Sequence, residues 1–453
     1  MNGTVEALIK SWAAVDSPVT PTAEILEWIQ ERDRETLVDI RKVSLPELGD
    51  WFYSQEEGVL RNQKGSFFKV AGLRCGGVEQ PMILQPENGY LGIICREIDG
   101  VLHFLMQAKI EPGNLNKIQI SPTLQATKSN FTQAHGGKRP AYLDYFLHAD
   151  RYQIILDQLQ SEQSSRFLRK RNRNMLIRVE EEVPLLPSHR WMTLGQIKEL
   201  ACNFDDLVNM DTRTVLSGIP FAGMGAPPVP DLFRDKPLYR SIFEGDGSWS
   251  LPEIYHYIND YKMFRQQETE LLPLHRLKGW RMTPEGIFPE KDGGFQVIYC
   301  QIEIEGREVR RWSQPLFEAT GISTFGLVLC DIDGITHFLV QALPEPGCFD
   351  GIELGPSIQL DAAAAKREKN RIEGLLDRPE AEILCDVLLS EEGGRFYHEH
   401  NRNVLLRVSR EQLGDLPEGY FLLDHRTLNG LCQINNCLNI QLRDLISLLR
   451  ISR

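Results

Sequence analysis

The sequence predicts an α+β fold made by tandem duplication, with mixed or mostly antiparallel sheets. Three observations lead to that class: the chain repeats itself, strand and helix periods alternate within each repeat, and tight hairpin turns join neighbouring apolar runs. The stretch from Gln80, QPMILQPENGYLGIICREIDGVLHFLMQAKIEPGNLNKIQISPTLQ, aligns without a gap on the stretch from Gln314, and 17 of 46 positions are identical. Downstream, SEQSSRFLRKRNRNMLIRV from Ser161 matches SEEGGRFYHEHNRNVLLRV from Ser390 at 10 of 19 positions. Leu45, Leu48 and Trp51 answer to Leu274, Leu277 and Trp280, and Asn209 and Arg213 answer to Asn439 and Arg443.

A helix opens each repeat. Thr20-Pro21 is a helix start with proline in the first turn, and Ser250 with Glu253 has capping-box spacing ahead of Ile254, Tyr257 and Ile258 on one face. GYLGIICREIDGVLHFLMQAKI reads as two strands about the turn Asp99-Gly100, and its counterpart turns at Asp333-Gly334. The segment YLDYFLHADRYQIILDQLQ follows a helical period, RNMLIRV returns to strand, and TLGQIKELACNFDDLVNM starts the last helix. Residues 218–249 divide the repeats, 1–217 and 250–453. The divider carries five Gly and five Pro through Ser250, including GAPPVP, a composition that predicts a connector without helix or inner strand. Phe221, Leu232, Phe233, Ile242 and Phe243 predict that it lies across the surface of one repeat.

Composition narrows the function. The 453 residues are 42% hydrophobic and 25% charged, an ordinary globular balance. No run of 18 apolar residues offers a membrane span, and the first 30 residues lack the basic-then-apolar run with a small-residue cleavage site, so no export signal is expected in them. A net charge of −13 argues against nucleic-acid binding, which counterion release drives through basic surfaces. A few arginines or backbone amides still suffice for a small anion. The nine cysteines have no framework spacing, and Cys432 and Cys437 lack a zinc spacing, so buried thiols in a reducing cytoplasm are expected.

Gln107 to Phe146 concentrates Lys109, Glu111, Ser121, Thr123, Gln125, Thr127, Asn130, His135, Lys138 and Tyr142, with Gly113, Gly136 and Gly137 permitting close backbone approach. Such a loop either holds sugar and phosphate oxygens or is a polar turn. The second copy keeps Gln341, Glu345, Gly347, Pro356 and Gln359 but has Leu343 for Lys109, Cys348 for Asn114, Gly355 for Ser121 and Asp361 for Thr127. One working pocket and one degenerate pocket follow, the latter around Trp280, Gly355, Pro356, Ser357, Gln359, Gly394, Arg395 and Arg402. In the first copy Ser165 and Arg173 join the polar set. Asn172-Arg173-Asn174 survives in both copies and could fork onto a diphosphate or bridge backbone carbonyls. Trp51 and Trp280 are either core residues or stacking surfaces for a base. His103 and His337 read as core, and His398 and His400 lack a third ligand. Gly223-Met224-Gly225 is not a dinucleotide fingerprint.

The run KIEPGN…SPTLQATKSNF…HGGKRPAYLDYF, the repeated EPG, and the RNRN segments resemble the NDP-hexose 2,3-dehydratases over nearly the whole chain. The resemblance implies two Nudix-like domains, a homodimer, dTDP-4-keto-6-deoxyglucose as substrate, and a downstream 3-ketoreductase acting on the product in deoxysugar biosynthesis. Neither copy carries the magnesium-binding box of Nudix hydrolases, so no metal and no redox cofactor are expected. Lys109 or Tyr142 would stabilise an enolate or protonate the leaving oxygen, and Glu111 or His135 would be the base. Ser121, Thr123, Gln125, Thr127, Asn130, Gly136, Gly137, Lys138, Ser165 and Arg173 would hold substrate, and Trp51 would face the nucleotide. A Nudix-type hydrolase and a non-catalytic nucleotide-sugar-binding protein are the rival readings.

Overall fold

The computed structural model describes residues 2–65, 67–132, 138–221, 229–246, 251–291, 293–307, 309–363 and 367–451. His135, Gly136, Gly137, the Gly223–Gly225 segment and the cap at Ser250 lie outside them. Each half builds a seven-stranded mixed sheet of one topology. In the first half Gln153–Ser161, Arg171–Arg178, Gly89–Ile98, Val101–Ile110 and His189–Thr193 lie in that order, with Ile118–Ser121 beside Val101–Ile110 and Leu124–Ala126 beside Gly89–Ile98. In the second half Glu382–Ser390, His400–Val408, Thr324–Ile332 and Ile335–Leu343 repeat the order; Tyr420–Asp424 and Glu353–Pro356 flank the last strand, and Ile358–Leu360 pairs with Thr324–Ile332. One neighbouring pair in each of these sheets is parallel, Arg171–Arg178 on Gly89–Ile98 and His400–Val408 on Thr324–Ile332. The hairpins turn where the dipeptides predict. Asp99 and Gly100 have φ of 50° and 78°, and Asp333 and Gly334 have 51° and 72°, the two positive angles a tight hairpin turn needs.

The halves are not side by side; they exchange strands. Val38–Lys42 of the first half pairs antiparallel with Phe295–Ile304 of the second, and Thr269–Leu272 of the second pairs antiparallel with Lys69–Cys75 of the first. Val38 faces Ile304 and Ile40 faces Ile302 across the first of these pairings, so the exchange joins apolar residues in register. Their packing is shared too. One buried cluster contains Phe104, Leu176 and Leu200 with Leu329, Phe338 and Leu442, and another joins Trp51, Leu60 and Phe167 to Phe295, Phe317 and Phe396. Helices Met210–Ser217 and Ile440–Ser447 meet at the centre, where the buried Arg213 donates to Asp444 Oδ2 at 3.1 Å and Arg443 donates to the Thr214 hydroxyl. Asn209 and Asn439 cap them, accepting from Thr212 N at 2.9 Å and Leu442 N at 3.0 Å.

Three local expectations are corrected. The segment after Tyr142 is not one helix: a short helix Leu143–Leu147 and a 3₁₀ turn Ala149–Arg151 give way to the strand Gln153–Ser161. A bulge between Ile154 and Leu156 breaks the strand alternation and imitates a helical spacing in the sequence. The connector does hold a helix, Lys236–Phe243; Asp235 caps it by accepting from Leu238 N at 2.9 Å, and Pro237 sits in the first turn, where no backbone donor is missed. That helix lies on the second half, with Ser241 Oγ donating to Thr336 O at 2.5 Å. The final helical segment splits in two, Leu194–Asn203 and Met210–Ser217. Among the described residues no helix is long and apolar enough to cross a membrane.

Candidate active site

A cavity of about 420 Å³ opens beside the large sheet of the first half, walled on its other side by the second half. The strand Val101–Ile110 brings Lys109 to it, and the turn that follows brings Glu111. Lys109 Nζ donates to Gln125 O at 3.1 Å and stands 3.7 Å from Glu111 Oε1, while Gln125 Nε2 donates to the same oxygen at 3.0 Å. Asn209 Nδ2 in turn donates to Gln125 Oε1 at 3.3 Å and to Ser121 Oγ at 3.0 Å, so a helix cap positions the amide that positions the carboxylate. Thr127 and Asn130 also line the cavity, with Thr127 Oγ1 donating to Asn130 Oδ1 at 3.0 Å.

Glu392, Gly394 and Arg395 enter from the second half. Gly113 makes this possible: a Cβ there would lie 1.5 Å from Phe396 O and 2.8 Å from Gly393 O. Gly113 N donates to Gly393 O, and His398 N donates to Gly113 O, each at 2.7 Å. Gly394 and Arg395, expected around the second pocket, thus belong to the first, because each half lays its Ser-Glu loop on the Glu-Pro-Gly turn of the other. Reciprocally, Gly347 N donates to Ser164 O at 2.8 Å, and Ser165 lies outside the first cavity with its carbonyl accepting from Gln80 Nε2 at 2.6 Å.

The cavity is rich in acids. Asn172 Nδ2 donates to Glu162 Oε1 at 2.5 Å, and Lys170 Nζ donates to Glu87 O at 2.5 Å. Burial raises the Glu162 carboxyl against the pull of Lys170 and Arg443, and lowers Lys170. Burial likewise pushes Glu392 up to about 8, opposed by Arg395. Asp211 is raised well above the usual carboxyl range, by burial first and then by Glu162 and Glu111. Another wall is aromatic: Trp51 and Phe67 have ring centres 6.1 Å apart, Trp51 Nε1 donates to Ser313 O at 2.7 Å, and Trp312 stands under Arg307.

Other expected residues fall elsewhere. Tyr142 does not line the cavity; its hydroxyl donates to Pro184 O at 2.6 Å and accepts from Leu186 N. Thr123 is a buried strand staple, donating to Leu105 O and accepting from Ile94 N at 2.9 Å, and Ser357 does the same between Leu339 O and Val328 N. Lys138 is exposed. Arg173 forks onto Asp157 at 2.7 and 2.6 Å, and Arg402 onto Asp386 at 2.8 and 2.6 Å, so the two arginines tie neighbouring strands together rather than facing the cavity. His400 Nδ1 is 3.1 Å from Asp206.

In the second half Trp280 Nε1 donates to Glu79 O at 2.8 Å, Gln359 Nε2 to Glu345 Oε1 at 3.0 Å, and Gln341 Nε2 to Pro356 O at 2.9 Å, while Gly355 lies against Asn439. The frame is therefore copied, but Leu343 replaces Lys109, Gln441 replaces Asp211, Glu399 replaces Lys170 and Val78 replaces Trp312. In that half the buried Glu345 is pushed up to about 7 and Glu391 to about 8, both by desolvation first.

The family model described as NDP-hexose 2,3-dehydratase matches residues 22–219 and again 251–449. The chain belongs to the NDP-hexose 2,3-dehydratase family. It is therefore a lyase, an enzyme that eliminates water across C2 and C3 of a nucleotide-bound hexose. It is 38% identical over 448 residues, 95% of this chain and 98% of the relative, to a dTDP-4-dehydro-6-deoxy-alpha-D-glucopyranose 2,3-dehydratase of Streptomyces violaceoruber. Relatives of the same name from Saccharopolyspora spinosa and Amycolatopsis orientalis are 37% identical over 443 residues and 34% over 454, covering 94% and 96% of this chain and 91% and 92% of the relatives. For this NDP-hexose 2,3-dehydratase, sequence reading missed Glu162, Lys170, Asp211, Glu392 and Trp312. Lys170 and Asp211 were within reach, since both differ between the copies beside positions that do not.

Proposed function

We propose that the cavity of the first half dehydrates dTDP-4-keto-6-deoxyglucose to a 3,4-diketo-2,6-dideoxyhexose nucleotide. The observation that carries this reading is Lys109 beside Glu111 in a cavity of buried acids, with Leu343 at the matching place in the other half. The C4 ketone acidifies the C3 hydrogen. Glu111 takes that proton, and Lys109 donates to the C4 oxygen as it becomes an enolate, an interaction worth about 3 kcal/mol by analogy with an oxyanion hole. The C2 hydroxyl then leaves as water, which needs a proton donor worth roughly 10²–10⁴-fold in rate. Electrons move within the sugar alone, so the chemistry is redox-neutral. Thr127 and Asn130 suit the sugar hydroxyls, Arg307 and Arg395 the diphosphate, and Trp51 and Trp312 the flat base.

The Nudix-like ancestry of each half, the division at 218–249, a homodimer, a cytoplasmic setting and a 3-ketoreductase that consumes the unstable product complete the proposal. The relatives' shared name and the duplicated sheet support it. Purified chain is incubated with dTDP-4-keto-6-deoxyglucose and a 3-ketoreductase with NADPH, and the products are read by mass spectrometry. A dideoxysugar nucleotide, abolished by Lys109→Ala and by Thr127→Ala, is the expected result. Full turnover in both variants would remove the cavity from the reaction, and release of a sugar phosphate would favour a hydrolase.

A further inference from the structure

Departure of the C2 oxygen needs a proton, and neither the base Glu111 nor the enolate donor Lys109 is assigned to give it. Asp211 is the second residue of the helix Met210–Ser217, two residues after the cap Asn209 that holds Ser121 and Gln125. Its side chain faces the cavity, the residue is 1% exposed, and Oδ1 has no hydrogen-bond partner among the described residues. Glu162 and Glu111 face it from the first half and Glu392 from the second, with Lys109 as the opposing cation. Lys170 and Arg443 stand by Glu162 and Arg395 by Glu392, whereas Asp211 is enclosed without such a close ion pair among the described residues. Burial first and the neighbouring carboxyls second hold it above the usual carboxyl range, which favours its protonated form. In the second half the same helix position is Gln441, a side chain one methylene longer whose amide has no carboxyl proton to give.

We propose that Asp211 is the general acid of the dehydration, donating its carboxyl proton to the C2 oxygen as the C2–O bond breaks. The assignment rests on the first cavity being the reaction site. Glu111 removes the C3 proton and the electron pair moves toward the C4 oxygen. As C4=O re-forms, that pair makes C2=C3 and expels the C2 oxygen, which leaves as water with the Asp211 proton. The resulting C3 enol tautomerises to the diketone, and the proton on Glu111 restores Asp211.

The test uses Asp211→Asn and two substrates, the natural nucleotide and its 2-deoxy-2-fluoro analogue, whose fluoride leaves without protonation. The variant is expected to dehydrate the natural substrate at least a hundredfold more slowly, to eliminate fluoride within about tenfold of the wild-type rate, and to exchange the C3 hydrogen with deuterated water. Dehydration within threefold of wild type would overturn the proposal. So would loss of fluoride elimination in a variant with wild-type circular dichroism. Should Asp211→Asn fail to fold, Asp211→Gln, which carries the side chain that the other half holds at this helix position, takes its place with the same outcomes. Failure of the site itself is distinguishable, since Lys109→Ala would then leave both exchange and dehydration intact.

Discussion

Gly113→Ala tests whether the second half completes the first cavity. Gly113 is not in the left-handed region, so alanine meets no backbone strain; the whole effect comes from the loop it touches. A methyl 1.5 Å from Phe396 O cannot be accommodated, and the Glu392–Phe396 segment must withdraw. Withdrawal breaks the two 2.7 Å backbone hydrogen bonds, Gly113 N to Gly393 O and His398 N to Gly113 O. Each costs about 1 kcal/mol if water replaces the partner and about 1–3 kcal/mol if the group stays buried, so the loss is about 2–6 kcal/mol. Gly100→Ala is the control: its φ is +78° and nothing lies within 4 Å, leaving only the left-handed penalty of about 1–2 kcal/mol. Urea denaturation measures both, and turnover per folded molecule should fall at least tenfold in Gly113→Ala because Glu392 and Arg395 leave with the loop. A Gly113→Ala protein no less stable than Gly100→Ala, and fully active, would refute the interlocked cavity.

Lys109→Leu should keep the fold, since Leu343 occupies the matching strand position, while kcat falls about a hundredfold through loss of the enolate donor; circular dichroism and the coupled assay check both halves of that statement. Leu343→Ala and Asp361→Ala should change turnover less than about twofold. Trp312→Ala should raise KM and the dTDP dissociation constant by roughly 5- to 150-fold with kcat nearly unchanged, if a stacked base is worth about 1–3 kcal/mol, and calorimetry with dTDP reads it. Glu353, the counterpart of Gln119, is pushed from 4.5 up to about 8 by burial. A raised carboxyl favours the folded state below the unfolded value and loses that contribution as pH climbs to the folded one, so Glu353→Gln should gain stability relative to wild type between pH 5 and 8.5, on the order of 1 kcal/mol per pH unit at most. A pH-independent gap in urea midpoints would contradict it.

Local chemistry was legible in the sequence wherever neighbours along the chain decide it. Asp99-Gly100 and Asp333-Gly334 turn as their side chains dictate, and the duplication is written in aligned letters. Lys109, Glu111, Gln125, Thr127 and Asn130 reach one cavity because they lie on a hairpin strand and the segment folding back over it. Tyr142 and Arg173 were misjudged because their partners, Pro184 O and Asp157, are chosen by tertiary contact. Gly394 and Arg395 were placed in the wrong half for a deeper reason: a repeat read in one dimension assigns every residue to its own copy, whereas strands Val38–Lys42 and Thr269–Leu272 cross between copies.

That crossing constrains how the enzyme can change. A silent duplicate would ordinarily be free to erode until it was lost. Here the second half furnishes a wall, an arginine and a hydrogen-bonded loop to the cavity of the first, and takes a strand in return. Cutting the gene between the repeats would leave each fragment with a vacant sheet edge and an unfinished hollow, so the polypeptide is indivisible whichever side carries the chemistry.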